Sequence, residues 1–198
     1  MENQAMDTAG VDSKPIWQSL WFRSLGWVPL ILFVARLVEY IQVGTPSQVL
    51  WMCHLANLFL AVGLFLANPL IIRISVILLV FGIPPWVVDM FVIKIVTPVS
   101  IASHLGGTII GLLAIAKVRS KPRSWLAALV CFVLVQIICR FVTPPALNIN
   151  VSHRVYEIWT HIVSSYWIYW LISTAVLAVS LWLIDFLLIK LFPPAARR

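Results

Sequence analysis

Apolar stretches of about 20 residues recur along almost the whole chain, each long enough to cross a hydrocarbon core of roughly 30 Å. That recurrence constrains the fold more than any motif. In lipid the backbone has no water to bond with, so a spanning segment must be a helix or part of a closed barrel. A barrel strand alternates apolar and polar residues, and these stretches do not alternate. The composition points the same way: of 198 residues, 62% are hydrophobic and 11% charged, against about half and a quarter in soluble domains. The expected fold is all-α, a polytopic membrane bundle of six transmembrane helices.

The spans are predicted at 20–43, 48–67, 70–94, 98–117, 124–143 and 162–191. Gly44-Thr45-Pro46-Ser47 reads as a turn and Asn68-Pro69 as a tight connection. Thr97 is placed to cap the fourth helix, with Pro98 at its first position. The segment Lys117 to Arg123 is too charged for lipid, and Thr143-Pro144-Pro145 ends the fifth span. The third span contains Gly82-Ile83-Pro84-Pro85, where two prolines remove successive donors, so helix 3 is expected to be kinked or broken at Pro84-Pro85. Such breaks are tolerated where they line a cavity. Residues 1–19 are expected to form a mobile cytoplasmic tail, 20–192 the six-helix domain, and 193–198 a basic tail. The first fifteen residues are polar and lack the pattern of a cleavable signal, so helix 1 is expected to act as an uncleaved anchor.

The basic residues that give a net charge of +7 lie mainly in connections and tails, which excludes a nucleic-acid-reading surface and instead sets orientation. Lys117, Arg119, Lys121 and Arg123 mark the 4–5 loop as cytoplasmic; Lys190, Arg197 and Arg198 place the C-terminus there, and Lys14 and Arg23 the N-terminus. An even number of spans satisfies all three. Trp17, Trp21, Trp125 and Trp182 then fall near the inner boundary and Trp51, Trp159 and Trp167 near the outer one, as an interfacial belt. Cys53, Cys131 and Cys139 lie in apolar segments and imply no disulfide framework.

With that orientation the polar residues gather in the outer half. Helix 1 carries Arg36 and Glu39, helix 2 Cys53, His54 and Asn57, helix 3 Trp86 and Asp89, helix 4 Ser103 and His104, and helix 5 Gln136 and Arg140. The connection to helix 6 holds Asn148, Asn150, His153, Arg154, Glu157 and His161. Arg73 and Asp185 lie near the opposite boundary, where they can pair. Ionisable groups in a bilayer are costly unless paired or hydrated, and several at one depth point to an outward-facing pocket. Helical spacing puts Cys53, His54 and Asn57 on one side of helix 2, and Trp86 with Asp89 on one side of helix 3. Gly107-x-x-x-Gly111 is read as a packing face and Arg36–Glu39 as a structural pair. Asn150-Val151-Ser152 is a formal glycosylation sequon, read as a chance match.

Three chemistries compete for the pocket. Cys53 could attack as a thiolate, with a histidine as base and Asp89 or Asn57 orienting it. Three or four of His54, Asp89, His104, His153 and His161 could bind zinc, the favoured set being His54, Asp89, His104 and His153, although no compact ligand motif such as HExxH is present. Histidines from facing helices could also hold a haem. A non-enzymatic subunit or small-molecule carrier is the reading from another class.

Cys53-His54 early in the second helix, Trp86-x-x-Asp89, and Ser103-His104 in the fourth resemble the YwaF-like six-helix integral membrane proteins. These are distantly similar to transmembrane proteins proposed to be cysteine-dependent acyltransferases acting on phospholipids. The resemblance covers helices 2 to 4. It implies an acyl-carrying Cys53, a catalytic His104, membrane lipids as partners, and a bacterial inner-membrane location. The expected activity is then lipid acyl transfer or hydrolysis, with Cys53, His104 and Asp89 catalytic and His54, Asn57, Trp86, Ser103, Asn148, Asn150, His153 and His161 supporting.

Overall fold

The computed structural model describes residues 16–93, 96–118 and 123–193. The expectations about residues 1–15, including Lys14, about Arg119 and Lys121, and about the tail beyond 193 lie outside them. All regular structure among the described residues is helical. We label the six main helices α1 (Leu20–Gln42), α2 (Met52–Phe65), α3 (Pro69–Ile93), α4 (Pro98–Ile115), α5 (Ser124–Val142) and α6 (Tyr166–Leu191). Five are long and apolar enough to cross a membrane; α2 is shorter.

The predicted span 48–67 therefore needs correction. Pro46–Leu50 forms a 3₁₀ turn, Trp51 is extended, and only the 14 residues of α2 are α-helical, a rise of about 21 Å. The apolar count along the sequence was right, but hydropathy does not register where proline and an extended residue delay the helix. Nine α2 residues are buried, among them His54, Asn57, Leu60 and Leu64, so α2 is the internal helix of the bundle. The last span also starts later than 162: residues 144–165 form a cap of turns, and α6 begins at Tyr166. α1 has a turn at Leu25-Gly26, where a Cβ on Gly26 would lie 2.9 Å from the Phe65 ring. Thr97 does cap α4, its hydroxyl accepting from the Ser100 N–H at 3.1 Å. Helical conformation runs through Pro84 and Pro85 without interruption.

Burial is inverted relative to a water-soluble bundle. Ile31, Val34, Val38 and Ile41 on α1, and Ile101, Leu105, Ile109 and Leu113 on α4, are exposed at helical spacing. α5 and α6 expose similar apolar rows. Lipid-facing surfaces have this character, and with the five long apolar helices they support a membrane protein.

Small residues draw the helices around α2. A Cβ on Gly107 would collide with the Asn57 amide, and one on Gly111 would lie 2.6 Å from Val76 Cγ2. The Gly107-x-x-x-Gly111 face is thus a packing surface, seating α4 on α2 and α3. At one end of the bundle Arg73 and Asp185 form a buried ion pair at 2.8 Å, and the Trp125 N–H also donates to Asp185. The remaining buried polar side chains collect largely at the other end.

Candidate functional site

The C-terminal part of α1, the start of α2, the end of α3 and the start of α4 meet at that second end. With α5, α6 and the 144–165 cap they enclose a cavity of about 660 Å3. Cys53, His54, His104, Trp86 and Asp89 all line it, as do Arg36, Tyr40 and Ser100. Residues 46–51 position the cluster: because α2 starts only at Met52, Cys53 and His54 fall in its first turn rather than deep in its body. Gly82 completes the arrangement, since a Cβ there would lie 3.1 Å from the Cys53 Cβ.

Cys53 Sγ lies 3.8 Å from His54 Nδ1. A ligand-capable atom from each of Cys53, His54 and His104 lies within 4.8 Å of the other two. His104 sits in a π-helical turn, Ala102–Gly106, which inserts an extra residue into α4 and turns the imidazole toward α2. Its Nδ1 is 2.9 Å from the Ser100 carbonyl. A carbonyl only accepts, so Nδ1 carries the proton and Nε2 keeps its lone pair. The Trp86 ring stacks on the imidazole, with centroids 4.6 Å apart and planes at 8°, while the indole N–H donates to Ser100 Oγ at 3.0 Å. His104 is therefore fixed in both tautomer and plane.

His54 is held from its other side by Tyr40, whose hydroxyl is 3.1 Å from Nε2. Arg36 donates to the same hydroxyl and pairs with Glu39, and its Nη1 lies 3.4 Å from Thr97 Oγ1. An arginine has only donors, so the Tyr40 oxygen accepts from Arg36. With a second lone pair and its own proton free, that oxygen fits either His54 tautomer; when Tyr40 donates to Nε2, His54 presents Nδ1–H to the Cys53 sulfur. The two imidazoles meet edge to face, with centroids 5.6 Å apart at 72°; they do not face each other across a slot as two axial ligands of one haem would.

Asn57 lies beneath the cluster, its amide donating to the Cys53 carbonyl at 3.1 Å and the Ser103 carbonyl at 3.2 Å. It ties α2 to α4 through their backbones rather than bonding to the Cys53 sulfur or the imidazoles. Ser103 donates to the Ser100 carbonyl at 3.0 Å. Asp89 lines the cavity but bonds to neither histidine among the described residues; the acceptor that orients His104 is the Ser100 carbonyl. Asn148 and Asn150 are organisers of the cap, both in the left-handed backbone region. Asn148 Oδ1 accepts from the His153 and Arg154 N–H groups. Asn150 Oδ1 accepts from Met52 N at 2.9 Å, and its Nδ2 donates to the Leu50 carbonyl at 2.8 Å. That buried amide is fully engaged, which agrees with reading the sequon as a chance match.

His153 and His161 do not join the cluster. His153 Nε2 lies 3.0 Å from Thr143 Oγ1, facing a second cavity in the cap, and His161 is exposed. The set His54, Asp89, His104 and His153 is therefore not assembled as one site; the set that is assembled contains Cys53 in place of Asp89 and His153. Tyr40 and Ser100, the partners of the two histidines, are not among the residues expected from the sequence, and Arg36 does more than pair with Glu39. The spacing of Arg36 and Tyr40, four apart on one helix face, was the available signal for the first. A backbone carbonyl leaves none for the second.

No family model, curated protein or solved structure matches the chain.

Proposed function

We propose that this chain is a membrane-embedded enzyme that transfers or hydrolyses lipid acyl groups through a thioester on Cys53. The observation that carries the reading is the Cys53 sulfur in a cavity wall, 3.8 Å from His54 Nδ1 and within 4.8 Å of an atom of His104. Much of the wall is apolar, including Leu78, Phe81, Phe132 and Leu177, which suits an acyl chain. A volume of about 660 Å3 lies within the roughly 300–1,000 Å3 range of small-molecule sites.

In this mechanism the Cys53 thiol proton passes to His104 Nε2 as the sulfur attacks the acyl carbonyl of an ester. The tetrahedral adduct collapses, the ester C–O bond breaks, and the leaving alkoxide takes the proton back from His104. Water or an acceptor hydroxyl then gives a proton to His104 and attacks the thioester. The departing Cys53 sulfur recovers that proton. His54 donates through Nδ1 to the sulfur while it is anionic, a charge-assisted bond.

The surrounding architecture is read as six crossings with both termini cytoplasmic, the cavity opening to the outer leaflet of a bacterial inner membrane. α2 completes the count together with residues 46–50. α2 itself rises about 21 Å, and residues 46–51 carry the chain over the rest of the crossing. Pro84-Pro85 bends the third crossing beside the cavity, where the carbonyls it frees can be hydrated. Membrane lipids are then both solvent and substrate, and the likeness of Cys53-His54, Trp86-x-x-Asp89 and Ser103-His104 to the YwaF-like proteins is a likeness of active-site parts.

Lipid turnover by folded protein in detergent tests the reading. Cys53→Ser should abolish it and His104→Ala should lower it by about 10²–10⁴, the usual worth of a positioned base. Full turnover by both variants would remove the proposal.

A further inference from the structure

The same three side chains have a second chemistry. Zinc binds thiolate at about 2.3 Å and imidazole at about 2.0–2.1 Å in tetrahedral geometry. Those lengths require a sulfur–nitrogen edge of about 3.6 Å and a nitrogen–nitrogen edge of about 3.4 Å. Cys53 Sγ and His54 Nδ1 are already 3.8 Å apart, and a ring nitrogen of His104 lies within 4.8 Å of the Cys53 sulfur and of a ring nitrogen of His54. Small side-chain rotations therefore close the triangle on one ion.

The outer partners also fit. A ligating histidine is normally fixed by a hydrogen bond from its other ring nitrogen. His104 Nδ1–H has the Ser100 carbonyl at 2.9 Å, leaving Nε2 to ligate. His54 Nε2 has the Tyr40 oxygen at 3.1 Å. With metal bound, His54 would shift its proton to Nε2 and donate it to Tyr40, freeing the Nδ1 lone pair. The positive charge of Arg36 is offset by Glu39, and three protein ligands leave a fourth position open to the cavity.

We propose that Cys53, His54 and His104 form a site for one thiophilic divalent cation such as zinc. We further propose that the ion and the acyl group compete for the Cys53 sulfur, so that bound zinc holds the enzyme inactive; this second clause rests on the thioester reading above.

Cobalt(II) titration of chelator-stripped, full-length protein in detergent tests the site. The expected result is one equivalent bound, with a thiolate-to-cobalt charge-transfer band and the visible bands of a tetrahedral ion, both displaced by zinc. Cys53→Ser should lose the charge-transfer band, and His104→Gln should weaken binding at least tenfold. A folded, monodisperse wild type without the band overturns the site, as does a cobalt spectrum unchanged in both variants. Lipid turnover of the stripped protein is measured separately. A cobalt site in a protein that turns over no lipid keeps the metal proposal and removes the thioester reading. Turnover unaffected by saturating zinc removes the competition.

Discussion

Single residues decide the chemistry here through what holds them. His104 owes its tautomer to a backbone carbonyl and its plane to Trp86, so its basic nitrogen is directed without a carboxylate. Tyr40 holds His54 in position. Replacing Tyr40 by Phe removes its hydrogen bond to His54, worth about 0.5–1.5 kcal/mol, together with the one it accepts from Arg36. Turnover should therefore fall by about tenfold or less, in kcat with KM nearly unchanged; an unaltered kcat would show that Tyr40 does not position His54. At the opposite end, Arg73→Ala strands a buried Asp185. It should cost about 3–5 kcal/mol, against much less for the double replacement Arg73→Met with Asp185→Leu, read from denaturation midpoints in detergent. Equal losses in the two proteins would contradict the pairing. Cys53, His54, Trp86 and His104 were legible in the sequence because helical spacing and depth are local properties. Ser100 and Tyr40 were not, because a carbonyl carries no sequence signal and Tyr40 meets His54 only once α1 packs on α2. His153 and His161 were misplaced for the converse reason: they share the expected depth, but the cap turns them away from the cavity.

At the scale of elements, α2 departs most from its expectation and matters most to the site. Its late start puts Cys53 and His54 in a first helical turn, with Cys53 against α3 at Gly82 and Asn57, one turn on, against α4 at Gly107. Most of the remaining span boundaries were legible, since charged loops and prolines mark them directly. The π turn of α4 was not, because one extra residue in a turn changes the phase of the helix without changing its composition. Packing at the glycines gives a test at this scale. Gly111→Val forces a side chain against Val76, where even a Cβ would lie 2.6 Å from Cγ2, and should destabilise the protein by about 1–3 kcal/mol. Gly82→Val presses on Cys53 instead and should lower turnover more than stability. A Gly82→Val protein with wild-type turnover would show that the α2–α3 approach does not set the position of Cys53.

In the whole molecule, polarity is divided between the two ends. One end is closed by Arg73 and Asp185, while the other holds a cavity bordered by all six helices, with exposed apolar rows between them. The apolar repeats in the sequence forecast the helical class and the gathering of polar groups at one end, since both follow from the cost of polar atoms in lipid. The proposed topology predicts that epitopes fused to the two termini are protease-protected together in intact cells and cleaved together after permeabilisation; opposite accessibility would contradict an even number of crossings. The central claim is that Cys53 carries an acyl group, and intact-mass spectrometry tests it most directly. Protein in detergent, incubated with a phospholipid bearing one kind of acyl chain, should gain the mass of one acyl group on the Cys53 peptide. Neutral hydroxylamine should remove that mass, and Cys53→Ser should never acquire it. A folded wild-type protein that gains no mass, or a gain that persists in Cys53→Ser, would contradict the account.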